Sequence, residues 1–347
     1  MDNHSAPSAP SGHPTIATGK TGLLLVNLGT PSAPTPKAVR AYLKEFLSDA
    51  RVIELQGSLL GRLLWQSILR GIILNIRPRK SAAAYQKIWN MEKNESPLRH
   101  YTHRQAEAVG AQLDNVCVEW AMRYGTPSIS EKLHTLKQQG CTRIAVMALY
   151  PQYSATTTAS VYDEVFRVLK TMRWQPALRT IDTWHDTPAY IDALAASVRT
   201  HLGTLEWQPD SIIASYHGLP KSYFLQGDPY HCQCAKTTRL LREALNMQDG
   251  ELQMTFQSRF GFQEWLTPYT GTILTDLAKS GKRRIAVIMP CFISDCLETL
   301  EEVNTNLREK FLAAGGTDFT CIPCLNDSPA SINLLTQLAR QDLHGWI

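Results

Sequence analysis

The sequence predicts an α/β protein of two similar halves, each a parallel sheet flanked by helices, with a cleft between them. Three observations carry this. Short apolar runs bounded by Gly or Pro alternate with longer stretches of helical spacing, the pattern of strand–helix–strand units with right-handed crossovers. Four of these runs echo one another in pairs. R-I-A-V begins at both Arg143 and Arg284, and G-x-P closes a strand-to-turn segment at both Gly29 and Gly218. The chain is also long for one hydrophobic core: it has 347 residues, of which 44% are hydrophobic and 19% charged, enough apolar material for two cores. Gly29 to Gly218 is 189 residues and Arg143 to Arg284 is 141, so the first half carries an insertion of 48 residues.

Taken in order, residues 1–19 are rich in Ser, Pro, Ala and Gly and read as a disordered tail. They lack the basic start and the roughly 7 to 15 apolar residues of a secretion signal. LLLVNLGTP (23–31) is a buried strand running into a turn, and VRAYLKEFL (39–47) has helical spacing. LQGSLLGRLLWQSILRGIILNIRPRK (55–80) is the candidate insertion. Leu60, Leu64 and Ile68 recur at helical spacing, with Arg62, Arg70, Arg77, Arg79 and Lys80 between or after them. An ordinary helix packed on the sheet accounts for that pattern. So does an apolar lip over the cleft that also rests on a membrane with its arginines among the headgroups. No stretch comes close to the roughly 20 apolar residues of a spanning helix. Further strands are read at CTRIAVMALYP (141–151), SIIASYHGLP (211–220) and RRIAVIMPCF (283–292). The halves are placed at 20–184, with the lip at about 50–80, and at 185–347.

Composition narrows the function. A net charge of +4 suits an anionic small molecule or an acidic membrane surface and is too weak to argue for nucleic acid. The eight cysteines are scattered, so reduced thiols in a soluble, cytoplasmic chain are expected. There is no G-x-G-x-x-G after a strand, no G-x-x-x-x-G-K-[ST] and no G-x-S-x-G, which removes the usual signatures of nucleotide binding and of a serine nucleophile. Cys232 and Cys234 in HCQC, and Cys321 and Cys324 in CIPC, are the remaining candidates for a metal or cluster.

In parallel α/β folds ligands bind beyond the carboxyl ends of the strands. That rule brings His217, at the end of one strand, together with PCFISDCLETLEEV (290–303), at the end of another. Asp295 and Glu298 are spaced as a helix N-cap and its partner, and a capping role explains those two acids. It does not explain Glu302. Asp295, Glu298 and Glu302 stand at i, i+3 and i+7 and share one helical face, from which Glu301 diverges. Such a file of carboxylates can pass a hard cation or protons, and His217 can bind a borderline metal or accept a proton.

LLLVNLGTP, LYPQYSATTTAS (149–160), SYHGLPKSY (215–223), FQSRFGFQEWLTP (256–268) and PCFISDCLETLEEV together resemble the ferrochelatase family, in order from about residue 22 to the C-terminal end. The resemblance implies two Rossmann-like halves that insert ferrous iron into a porphyrin to make haem. It implies that His217 and Glu298 face each other across the metal as catalytic and metal-binding residues. Asp295 and Glu302 match the acidic file, and Arg123, Tyr124, Tyr85 and Trp265 match porphyrin-pocket positions. Leu28 stands where some members carry Met or Tyr. Ala155 stands where the animal type has a cluster cysteine, and no cysteine follows 324. No 2Fe–2S cluster and no resident cofactor are therefore expected, with Fe²⁺ as substrate. The partners implied are porphyrin and iron, with peripheral contact to the inner membrane, in a monomer or homodimer. Three other functions fit the same residues: insertion of another divalent metal into a tetrapyrrole, action on coproporphyrin III in place of protoporphyrin IX, and non-catalytic haem or metal binding.

Overall fold

The structure, a computed structural model, describes residues 12–13, 17–54, 58–259, 261 and 263–347. Most of the tail expected over 1–19, and residues 55–57 of the insertion, lie outside the described residues. Two four-stranded sheets organise the chain, and every strand pairing in them is parallel. The first holds β1 (Lys20–Gly29), β2 (Val116–Tyr124), β3 (Cys141–Ala148) and β4 (Ala177–Thr180) in the order β2-β1-β3-β4. The second holds β5 (Ser211–His217), β6 (Leu252–Gln257), β7 (Arg284–Ile288) and β8 (Asp318–Cys321) in the order β6-β5-β7-β8. The winding is the same in both. The R-I-A-V echo falls in β3 and in β7, the equivalent strand of each sheet, and the two G-x-P echoes fall at the ends of β1 and β5.

The inserted residues lie between β1 and β2. That connection carries α1 (Pro36–Phe46), α2 (Leu59–Ile68), α3 (Leu74–Ile88) and α4 (Pro97–Gly110), whereas β5 and β6 are joined only by α8 (Lys221–Leu225) and α9 (Tyr230–Ala244). A π-helical turn, Leu69–Ile73, joins α2 to α3. Buried residues recur at Trp65, Leu69, Leu74, Pro78, Ala82 and Tyr85. The five-residue step from Leu69 to Leu74 falls on the wider π turn, which keeps the stripe on one face. That stripe packs on Leu43, Phe46 and Leu47 of the α1 region and on Val39, and Trp65 Nε1 donates to the Leu47 carbonyl at 2.7 Å.

The opposite face is bare. Leu60 is 78% and Ile76 68% exposed, and Leu59, Leu63, Leu64 and Ile72 are exposed beside them. By length and composition Leu59–Ile88 is apolar enough to cross a membrane, which corrects the sequence expectation that no stretch comes close. The buried stripe against α1 is what holds this helix onto the domain.

The last helix, α12 (Pro329–Leu343), returns to the first half, where it packs on α4 and β3 as well as on α7 (Pro188–Gly203). The Trp346 carbonyl beyond it accepts from Thr21 Oγ1 of β1 at 3.1 Å, and Arg179 of β4 lies over the Trp346 ring. One apolar core accordingly runs through both sheets, from Leu23 and Leu25 to Tyr216 and Leu338.

Gly29 closes β1 with φ +117°, and a Cβ there would lie 1.9 Å from the Tyr124 carbonyl oxygen of the neighbouring strand. Gly29→Ala is expected to cost about 3 kcal/mol, measured by urea denaturation. A loss under 1 kcal/mol would show that β1 and β2 can part at this point.

Candidate active site

The carboxyl ends of β1, β3 and β7 meet at a cleft that opens to solvent. Asn27–Thr30 follow or end β1, Leu149 and Tyr150 follow β3, and Cys291–Ser294 with Cys296–Glu298 follow β7. Tyr42 of α1 and Tyr85 and Ile88 of α3 close the side, so the inserted helices supply part of the wall. Leu28 is among the lining residues, an apolar side chain at the turn where a ligating one would have been conspicuous.

His217 is the last residue of β5, half-buried; it lies beside the cleft-lining Cys291 and Phe292 and, like Glu302, is not itself among the lining residues. Its Nδ1 lies 2.7 Å from the carbonyl oxygen of Gly218. Only a protonated Nδ1 can donate there, and in the neutral ring this leaves the Nε2 lone pair free. The backbone N–H of His217 donates to the Cys291 Sγ at 3.2 Å, and its ring lies edge-on to Phe292. Gly218 supports the turn from below. Its N–H donates to the Gln257 carbonyl at 2.7 Å, and a Cβ on it would come within 2.6 Å of that oxygen and 3.3 Å of the Trp265 ring. Trp265 is not among the cleft-lining residues. It packs under the His217 turn, bridged to Pro220, with its Nε1 buried and unpartnered.

Across from this turn, residues Glu298–Leu307 form a π-helical segment. The wider i→i+5 turn keeps residues four apart nearly in line, so Glu298 and Glu302 share a face. Glu302 accepts from the Ser258 backbone N–H at 2.7 Å and from Ser258 Oγ at 2.6 Å. Ser258 holds φ +67°, a left-handed conformation unusual for a side chain of its kind. Burial pushes the Glu302 carboxyl above its ordinary range, with Glu298 adding to the rise, while Ser258 and His217 oppose it. Glu302 thus lies close enough to both His217 and Glu298 to feel their charge. Gln257 links them: it pairs with His217 across β5 and β6, and its Nε2 donates to the Glu298 carbonyl at 3.2 Å.

Glu301 leaves the file as expected. Its carboxylate takes Lys87 Nζ of α3 at 3.0 Å and Asn306 Nδ2 at 3.0 Å.

Asp295 corrects two expectations. The capping pair with Glu298 is not formed, because the π segment begins after Leu297 without a side-chain cap and the Asp295 N–H goes to Asn326 Oδ1 at 2.8 Å. Nor does Asp295 line the cleft with Glu298. Its Oδ1 accepts from Thr299 Oγ1 at 2.9 Å and its Oδ2 from Asn326 Nδ2 at 2.7 Å.

Arg123 and Tyr124 end β2 away from the cleft lining: Tyr124 is fully buried and Arg123 faces a neighbouring hollow. Arg123 Nη2 pairs with Asp49 Oδ2 at 2.6 Å, its Nε donates to Ser160, and the Tyr124 hydroxyl also donates to Asp49 at 2.7 Å. Arg123 lines that open hollow with Lys44, Glu45 and Asp49, not the cleft of Glu298. Tyr85 does line the cleft, buried, and its hydroxyl is pushed up by burial first and by Glu298 next. Tyr42 and Tyr150 are shifted the same way with Glu298 contributing. Sequence reasoning passed over both, although Tyr42 sits in the VRAYLKEFL helix and Tyr150 directly after a strand. Gln257 and Ser258 were legible only as part of a quoted motif.

The cysteine candidates do not gather. Cys232 is exposed and Cys234 buried, as residues two apart on one helix must diverge. Cys324 faces Asp295 and Cys296 and is held as a thiol chiefly by burial. Among the described residues no three His, Cys, Asp or Glu side chains are arranged to hold a metal.

The ferrochelatase family model matches residues 20–343. A ferrochelatase of Rhizobium meliloti is 56% identical over 339 residues, covering 96% of this chain and 98% of that protein. One of Agrobacterium fabrum is 54% identical over 341 residues, with 97% and 98% covered. Among solved structures, SirB from Bacillus subtilis with Fe³⁺ superposes with a TM-score of 0.56 at 13% identity, over 93% of this chain and 95% of that one. The sirohydrochlorin chelatase SirB in complex with cobalt gives 0.53 at 11%, with 93% and 95% covered. At such identities these two support the two-sheet fold alone. The sequence matches go further: the chain belongs to the ferrochelatase family, lyases that insert iron into a porphyrin in haem biosynthesis.

Proposed function

We propose that the porphyrin is protoporphyrin IX and that His217 and Glu298 work on its two faces. Metal entry into a free-base porphyrin requires bending a flat ring and removing both inner N–H protons as Fe²⁺ binds the four nitrogens. A rigid cleft can impose the bend using binding energy from the apolar ring faces. The free Nε2 of His217 accepts one pyrrole proton, and Glu298 accepts the other and hands it on to Glu302 as Fe²⁺ enters the ring. The observation that carries this reading is the bonding that ties these groups together around the end of β6: Gln257 pairs with His217 and donates to the Glu298 carbonyl, and Ser258, the next residue, holds the Glu302 carboxylate. Fe²⁺ is a substrate here, and no resident cofactor is assigned. The exposed leucines of the lip favour a greasy porphyrin over a highly carboxylated one. Anaerobic incubation with Fe²⁺ and protoporphyrin IX or coproporphyrin III, followed by absorbance, tests the choice. Faster turnover of coproporphyrin would overturn it.

The same lip supports peripheral membrane contact by a cytoplasmic enzyme. Its apolar face carries Leu60, Leu63, Leu64 and Ile76 in the open, with Arg62, Arg70 and Arg79 exposed nearby. Weak, salt-sensitive flotation with anionic vesicles is expected, to be abolished in Leu60→Glu/Leu64→Glu. No association at low salt would count against it.

A further inference from the structure

We infer that Asn326 is a positioning residue for metal insertion: its side chain clamps Asp295 at two points and so sets the start of the π-helical segment that carries Glu298. Asn326 lies between β8 and α12 with φ +49°, a left-handed backbone that asparagine tolerates better than most residues. Every polar group it has is engaged. Its Nδ2 donates to Asp295 Oδ2 at 2.7 Å, and its Oδ1 accepts the Asp295 N–H at 2.8 Å. Its own N–H donates to the Ile293 carbonyl at 2.8 Å. Its carbonyl accepts from Gln105 Nε2 at 2.7 Å. Gln105 is fully buried on α4 and also donates to Ser294 Oγ at 3.1 Å, so the clamp has its foot in the first half.

At the other end, Asp295 Oδ1 accepts from Thr299 Oγ1, which itself accepts the Cys296 N–H at 3.0 Å. The chain of bonds therefore ends on the residue after Glu298. Asp295 is buried, has both oxygens engaged and does not line the cleft. Its influence on iron runs through the placement of Glu298. The inference rests on Glu298 acting in the insertion step.

Three variants test it. Asn326→Gly keeps the left-handed backbone accessible, removes the clamp and leaves the Asp295 charge in place. Its kcat is expected to fall about 10- to 100-fold, as for a misplaced catalytic group, with KM for porphyrin unchanged. Asp295→Asn alone leaves one side-chain oxygen for two donors, Asn326 Nδ2 and Thr299 Oγ1, so one of the two bonds is broken and a similar factor should be lost. In Asp295→Asn/Asn326→Asp, donor and acceptor are exchanged. The new amide at 295 donates to the new carboxylate at 326, and the remaining oxygens accept from Thr299 and from the backbone N–H of residue 295. This double variant is expected to recover most of the kcat lost in Asp295→Asn.

Porphyrin fluorescence quenching reports whether each variant is folded. If Asn326→Gly fails to fold, the comparison of Asp295→Asn with the double variant carries the test. Parental kcat in a folded Asn326→Gly, or a double variant no better than Asp295→Asn, overturns the clamp and makes the carboxylate at 295 the acting group. Glu298→Gln is assayed alongside. A silent Glu298→Gln with an impaired Asn326→Gly overturns Glu298 as the clamp's target, a failure distinguishable from the first.

Discussion

Glu298→Gln is expected to bind porphyrin as the parent does and to insert iron at least about 100-fold more slowly. The amide keeps the shape of the side chain and removes its charge and its titrating proton. Stability should stay within about 1 kcal/mol of the parent, because the capping pair that would have made Glu298 structural is not formed. What the carboxylate does touch is the cleft, where it helps hold the hydroxyls of Tyr42, Tyr85 and Tyr150 protonated. Glu302→Gln should lose less, since Ser258 still holds the side chain, and the loss should be greatest at limiting Fe²⁺. Glu301→Gln is the control. It breaks the pair with the exposed Lys87, worth at most about 1 kcal/mol, and should insert iron at close to the parental rate. Equal losses at 298 and 301 would mean that the π-helical face does not sort these acids by function.

The second large effect is at His217. His217→Ala is expected to reduce insertion by about 10³-fold while the protein remains folded and binds porphyrin. The imidazole closes a strand and hydrogen-bonds the next carbonyl, so its removal leaves the turn held by the Gly218–Gln257 bond. Added imidazole should restore part of the rate if the lost group is a proton acceptor. Parental turnover by a folded His217→Ala would remove the residue from the reaction.

The strands legible in the sequence were β1, β3, β5 and β7, and these are the interior strands of the two sheets. Covered on both faces, they read as unbroken apolar runs such as Leu23–Val26 and Ile285–Ile288. The edge strands β2, β4, β6 and β8 mix polar and apolar residues, as in ALRT, LQMTFQ and DFTC, and carry no such signal. The pseudo-repeat was visible because both halves draw the same buried strand from the same small apolar alphabet. His217 and Glu298 could be found because parallel sheets place ligands at strand ends, and sequence marks strand ends well.

Tertiary structure decided what each neighbouring group does. Asp295 and Glu298 are three residues apart and look equivalent in a one-dimensional file. Asn326, thirty-one residues further on, takes the first out of the cleft, and the π-helical turn leaves the second in it. Arg123 matched a porphyrin-pocket position in sequence, but Asp49, just beyond α1, pairs with it. A hydrogen-bond partner brought in by the fold cannot be read from local spacing, and that partner determines whether a charged side chain is spent on structure or left for substrate.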